Sequence, residues 1–233
     1  MSDSDAPDVT AAPPLPPLWK RIVDAFVEPT RLGDALAARP VWVTALLVGV
    51  ALVVASSLLI PADVWQDMMR TQMSAGGREV PEGMAGVSTT VFRVWAVVGG
   101  LIFWPVWTFL VAGVVTLVFA FILGDEGRYR QYLALTSHAL LIAAIGGLLV
   151  TPLRIAQSDP QLTLSVGTFL GLEGGYLQRY LAGLDLFMLW AYVVLGIGVS
   201  RVDRSRSPGS AVAILMVFVL AVTALFALIP RPA

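Results

Sequence analysis

Two ionisable side chains lie inside long apolar runs of this sequence: His138 in TSHALLIAAIGGLLV and Asp185 in LAGLDLFMLW. A titratable group at membrane depth is costly, which makes each a candidate for function by default. His138 suits a neutral imidazole bonded to a hydroxyl or carbonyl of a neighbouring span. It also suits a titrating switch, because imidazole is the side chain that changes charge near neutral pH. Asp185 suits a structural ion pair with Arg93, Arg154 or Arg179, or a binding or proton-relay carboxylate facing a cavity. Counting from Tyr132 at helical rise, His138 falls about 9 Å into its span from one end. Asp185 falls one turn from the opposite surface, so the two are not expected to form a dyad. One histidine and no cysteine give metal chemistry few ligands, and no metal or cofactor is expected. The sequence has no HExxH, no phosphate-binding lysine loop and no serine elbow, and Gly196-Ile-Gly198 lies inside an apolar run without a preceding strand. Enzymatic chemistry is therefore not expected.

A third feature is charge at the turns. Arg128 and Arg130 fall in GDEGRYRQ, and Arg201, Arg204 and Arg206 fall in the next short polar segment. Near a membrane surface each cation attracts anionic headgroups by about 1 kcal/mol. The same cations could serve topology alone.

The elements that must carry these residues follow from hydropathy. Of 233 residues 57% are hydrophobic and 13% charged, about half the charge of a soluble domain. With the charges gathered between long uncharged runs, that is the composition of an all-α, polytopic membrane bundle. Five spans are expected, at about 41–60, 101–123, 132–153, 181–200 and 211–229, together making one domain over 41–229, with His138 in the middle span. The first covers 20 uncharged residues, about 30 Å at helical rise. The second is drawn from 30 uncharged residues, 94–123, with Pro105 expected to kink it. Residues 62–90 and 160–180 read as loops with short helical turns. Small residues recur four apart, as in Ala143/Gly147 and Gly196/Ser200, a spacing that lets helices approach closely, within one chain or between copies.

Before the spans, residues 1–17 combine Asp3, Asp5 and Asp8 with the cluster Pro13, Pro14, Pro16 and Pro17 and read as a disordered tail rather than a signal peptide. Residues 18–39 read as an interfacial amphipathic segment. Trp19, Ile22, Val23, Phe26 and Val27 share one helix face, and Lys20, Arg21, Asp24 and Glu28 the other. Such a helix packs on its own bundle or lies in the headgroup plane with Trp19 at the interface. Pro29 is expected to end it, with Thr30 capping a second short helix.

Lys and Arg set the orientation. Lys20, Arg21, Arg31, Arg39, Arg128, Arg130, Arg201, Arg204 and Arg206 fall on one side. Arg70, Arg78, Arg93, Arg154, Arg179 and Arg231 fall on the other. The bias places the N-terminus in the cytoplasm and the C-terminus outside, in a bacterial cytoplasmic membrane. The net charge of −1 creates no field to recruit nucleic acid. The expected partners are the lipid bilayer and a membrane protein or a second copy of the chain.

Three stretches carry a family resemblance: FVEPTRLGDALAARPVW, GDEGRYRQYLALTSHALLIAAIGGLLVTPL and LAGLDLFMLWAYVVLGIGVSRV. Over about residues 26–229 the chain resembles bacterial members of the YIP (Ypt/Rab-interacting protein) family. The resemblance implies five spans and a cytosolic N-terminus. Eukaryotic members are implicated in vesicle trafficking and bind small GTPases through a longer tail with an acidic, tyrosine-containing motif. The first tyrosine here is Tyr129, so GTPase binding does not carry over. The function implied is a non-enzymatic membrane adaptor or organiser. A small-molecule or ion transporter using Asp185 or His138 is the alternative, although no internal repeat favours it.

Overall fold

The structure is a computed structural model. It describes residues 14–75, 89–172 and 174–229. Residues 1–13 of the expected tail, residues 76–88 of the expected loop, and Arg78 and Arg231 lie outside the described residues.

The described residues form a bundle of α-helices with one isolated antiparallel bridge, between Ser165 and Asp185. Two short helices come first, α1 (Leu18–Val27) and α2 (Pro29–Ala38). Pro29 does not merely stop α1: it is the first residue of α2, where its fixed φ is preorganised and its missing N–H costs nothing. The apolar helices are α3 (Val43–Leu59), α5 (Thr89–Thr116), α6 (Tyr129–Ala156), α9 (Leu186–Val202) and α10 (Pro208–Ala227). Alone, α5 with its continuation, α6 and α10 are long and apolar enough to cross a bilayer. Helix α3 has 17 residues and meets α4 (Ala62–Ala75) at a bend of 82°. Helix α9 also has 17 residues, about 25 Å and the lower limit for a crossing.

Two elements differ from the sequence expectation, the segment after α3 and the start of the fourth apolar helix, while 160–180 keeps its expected short helices. Polarity made residues 62–75 read as loop, yet they are helical, with Asp63 in the first turn where the helix dipole favours an acid. The loop over 160–180 contains α7 (Val166–Leu170) and the start of α8 (Gly175–Ala182). The fourth apolar helix begins at Leu186, not at 181, because Asp185 caps it: its Oδ1 accepts from the Met188 N–H at 2.8 Å.

Helix α6 is the axis of the bundle. Every residue from 132 to 142 is buried, as expected of a helix apolar on all sides and surrounded by others. It packs against α1, α2, α3, α5 and α9. One core cluster gathers Phe119, Tyr132, Leu135, Ile142, Leu195 and Leu215, and a second, between α3, α5 and α6, holds Leu46, Trp104 and Leu140. Lipid is as apolar as these side chains, so packing rather than water exclusion must hold the helices together. Gly196 shows how: a Cβ there would lie 2.7 Å from the Val212 Cα of α10. Helix α5 contains Pro105 and ends in a π-helical turn, Leu117–Ile122. Helix α10 is the outlier, packed on α9 and α8 and largely exposed along its length.

Candidate functional site

The candidate residues separate to opposite ends of the bundle. At one end the turns before α6 and α10 meet. Arg206 grips Asp125 in bidentate fashion, with Nε donating to Oδ1 at 3.1 Å and Oδ2 at 2.9 Å and Nη2 donating to Oδ1. Asp125 is 6% exposed, and its carboxylate holds Arg206 above the usual guanidinium value. The Arg206 guanidinium also lies 5.5 Å from the centre of the Phe119 ring. Arg201 Nε donates to Asp34 on α2 at 2.8 Å. The Asp203 carboxylate accepts from the N–H groups of Ser205 and Glu126 at 2.9 and 3.2 Å. Its pKa is lowered, first by the Ser205 hydroxyl and then by these two N–H groups. Gln131 Nε2 donates to Ala37 O at 2.8 Å, tying α6 to α2.

Of the five arginines singled out in the turns, Arg201 and Arg206 are therefore tied to aspartates of the same chain. Arg128, Arg130 and Arg204 are exposed and make no ion pair among the described residues. The acids that hold the other two, Asp34 and Asp125, are not among the residues singled out from the sequence. Their signal was present: each lies within a few residues of an arginine assigned to that side.

Just inside this end sits His138, fully buried. Its Nδ1 lies 2.8 Å from the Ala134 carbonyl one turn earlier, and its Nε2 lies 2.9 Å from Arg21 Nη1 on α1. A guanidinium can only donate, so Nε2 accepts and the proton sits on Nδ1, facing Ala134. The imidazole thus docks α1 onto α6. Of the two expectations for α1, the exposure of its faces fits the one with Trp19 outward. Arg21 and Asp24 are 5% and 2% exposed, whereas Trp19 and Val27 are 67% and 66% exposed. The charged face is pinned to the bundle and the apolar face points outward, as a helix flanking a bilayer interface requires. Burial lowers the Arg21 pKa from the usual guanidinium value.

The other end holds Asp185, and it is joined differently. Arg154, one of its three anticipated ion-pair partners, reaches backbone instead: Nε donates to Leu162 O at 2.9 Å, and Nη1 to Gly147 O and Ser56 Oγ, each at 3.4 Å. Arg179 Nε donates to Ala227 O, the last residue of α10, at 2.8 Å. Asp185 is half-buried and forms no ion pair with the described residues; its carboxylate caps α9, bonded by the Met188 and Phe187 N–H groups. Beneath it runs a cavity of about 570 Å³ between α5, α9 and α10. The lining is apolar except at Asp185, Tyr192, Thr223 and the Trp107 indole. His138 is not part of it. His138 and Asp185 have separate partners and are not brought together.

Comparison with known proteins agrees with this architecture. The sequence model of the Yip1 domain matches residues 23–229. The chain is 24% identical over 206 residues to "Membrane protein YknW" of Bacillus subtilis (strain 168), covering 86% of this chain and 87% of that one. No solved structure matches. With the Yip1 domain match running from the first amphipathic helix to the end of the last apolar one, the chain belongs to the Yip1 domain family of membrane proteins.

Proposed function

We propose that this protein is a non-enzymatic membrane adaptor that organises lipid or protein partners from the bacterial cytoplasmic membrane. The observation that carries the reading is how its polar groups are used. His138, Arg21, Arg201, Arg206 and Arg154 are struts between the chain's own helices. What faces outward includes apolar helix surface and, at one end, the exposed cations Arg128, Arg130 and Arg204, which make no ion pair among the described residues. Those cations suit anionic headgroups of the cytoplasmic leaflet.

The same reading takes α3, α5, α6, α9 and α10 as five crossings with the N-terminus in the cytoplasm. The basic turns at 124–130 and 203–207 then face the cytoplasm together, which fits their mutual hydrogen bonds. Reporter fusions at residues 128, 165 and 205 test this: 128 and 205 should report the cytoplasm and 165 the outside. Crosslinking in native membranes followed by mass spectrometry tests the role, with reproducible neighbours expected. Saturable solute flux in reconstituted vesicles, abolished by Asp185→Asn, would replace the adaptor with the transporter reading. One observation favours that second reading, the cavity below Asp185; its largely apolar lining suits it less well to a hydrated solute.

A further inference from the structure

The region around Asp185 has two deficits that a single molecule could fill. The first is a carboxylate with no cation in contact. Asp185 is half-buried, its carboxylate takes the Phe187 and Met188 N–H groups at the start of α9, and no cation among the described residues forms an ion pair with it. Arg154 acts on it electrostatically, but its guanidinium bonds Leu162 O, Gly147 O and Ser56. A carboxylate at the membrane margin is costly unless something neutralises it.

The second deficit is apolar space. Helices α5 and α10 both border the cavity, and α10 packs on α9 and α8 rather than on α5. The walls are Val111, Val115 and Val118 on one side and Leu215, Val222 and Phe226 on the other, with Met188 and Tyr192 at the back. Leu110, Phe218 and Phe226, all exposed, rim the opening, so it faces the bilayer sideways.

The α10 wall runs from Ile214 to Phe226, about 18 Å at helical rise. A cleft apolar along its walls, with one carboxylate, Asp185, at its margin, matches an amphiphile with a hydrocarbon tail and a cationic head.

We propose that this cleft is a lipid site. It holds an acyl chain of an aminophospholipid, with the lipid's primary ammonium against Asp185. Asp185 supplies what selects the headgroup, and the α5–α10 walls supply what holds the chain. Phosphatidylethanolamine carries the ammonium that Asp185 would take; phosphatidylglycerol lacks it, and the trimethylated choline head cannot donate a hydrogen bond to a carboxylate. The inference needs only the chain in a bilayer and stands or falls apart from the adaptor reading.

Full-length protein in mild detergent, stripped of lipid and titrated with phosphatidylethanolamine, phosphatidylglycerol or phosphatidylcholine of identical chains, tests it by native mass spectrometry. One phosphatidylethanolamine should be retained about tenfold more tightly than the other two. Asp185→Asn should erase that preference, the loss expected for one charge-assisted hydrogen bond. Asparagine caps a helix as well as aspartate does, so helicity and thermal stability should persist and separate charge from folding. Val222→Trp, which fills the cleft and leaves Asp185 in place, should weaken all three lipids together. Equal binding of the three lipids by the wild type, or a preference that survives Asp185→Asn, overturns the proposal. So does disulfide or photo-crosslinking that places another protein's helix, or a second copy, against Val115 and Leu215.

Discussion

The two ends of this bundle handle charge in opposite ways. At the basic end, arginines meet carboxylates of other segments: Arg206 with Asp125 across 81 residues, and Arg201 with Asp34 across 167. At the other end, Arg154 and Arg179 bond backbone carbonyls while Asp185 caps a helix, leaving cation and carboxylate unpaired with each other. The first arrangement pairs these charges within the chain and fixes which turns touch. The second leaves charge and apolar space open to something from outside. Substitutions of similar chemistry should therefore act on stability at the first end and on ligands at the second.

The largest effect is expected from Arg206→Ala. It strands the buried Asp125 carboxylate, and breaking a buried pair on one side costs about 3–5 kcal/mol. Because the Arg206 side chain is 16% exposed, the low end, about 3 kcal/mol, is expected, as a fall in the thermal midpoint of detergent-solubilised protein. Asp185→Asn should leave that midpoint where it is. If both variants fell equally, the contrast between the ends would be wrong.

The next effect sharpens the basic end. His138→Leu leaves the Arg21 guanidinium buried without its acceptor, at about 1–3 kcal/mol. Arg21→Leu removes a charge and its desolvation together and should cost less. The double variant should recover part of the His138→Leu loss, since replacing both partners by apolar groups can be nearly neutral. Proteolysis within residues 18–27 reports the docking of α1 and should follow the same order. Gly196→Ala should come close behind. Its Cβ would meet the Val212 backbone at 2.7 Å, and overpacking costs about 1–3 kcal/mol. The α9–α10 seam should separate, with greater hydrogen exchange in α10 than in α6.

How much of this was legible in the sequence divides along the same line. Hydropathy sufficed for the apolar helices and for the burial of His138, because a run without charge has few other homes. The basic residues of 124–131 and 201–206 are assigned to one side by charge bias, and the structure brings those turns together. What sequence could not supply was pairing at long range. Helix periodicity puts Arg21 on the polar face of α1 without saying which face meets the protein. Asp185 looked intramembrane because Leu181 and Leu184 extend the apolar run backward; only the Met188 N–H shows that the helix starts after it. The cavity depends on α10 standing away from α5, a tertiary fact with no local pattern.

The smallest expected effect concerns Asp203, where the basic end can be read by pH. The Ser205 hydroxyl, then the N–H groups of Ser205 and Glu126, hold this carboxylate below its usual value of 3.8. A depressed carboxylate contributes stability that is complete above its unfolded value and is lost as pH falls through its folded one. Asp203 is solvent-facing, so the contribution is small, but its sign is fixed. Asp203→Asn should lower the thermal midpoint slightly at pH 6, and the gap to wild type should close as pH falls below about 3.8. Subtracting the two curves removes the carboxylates they share. A gap independent of pH would mean that Asp203 joins the turns by shape rather than by charge, and the basic end would then rest on Arg206–Asp125 and Arg201–Asp34.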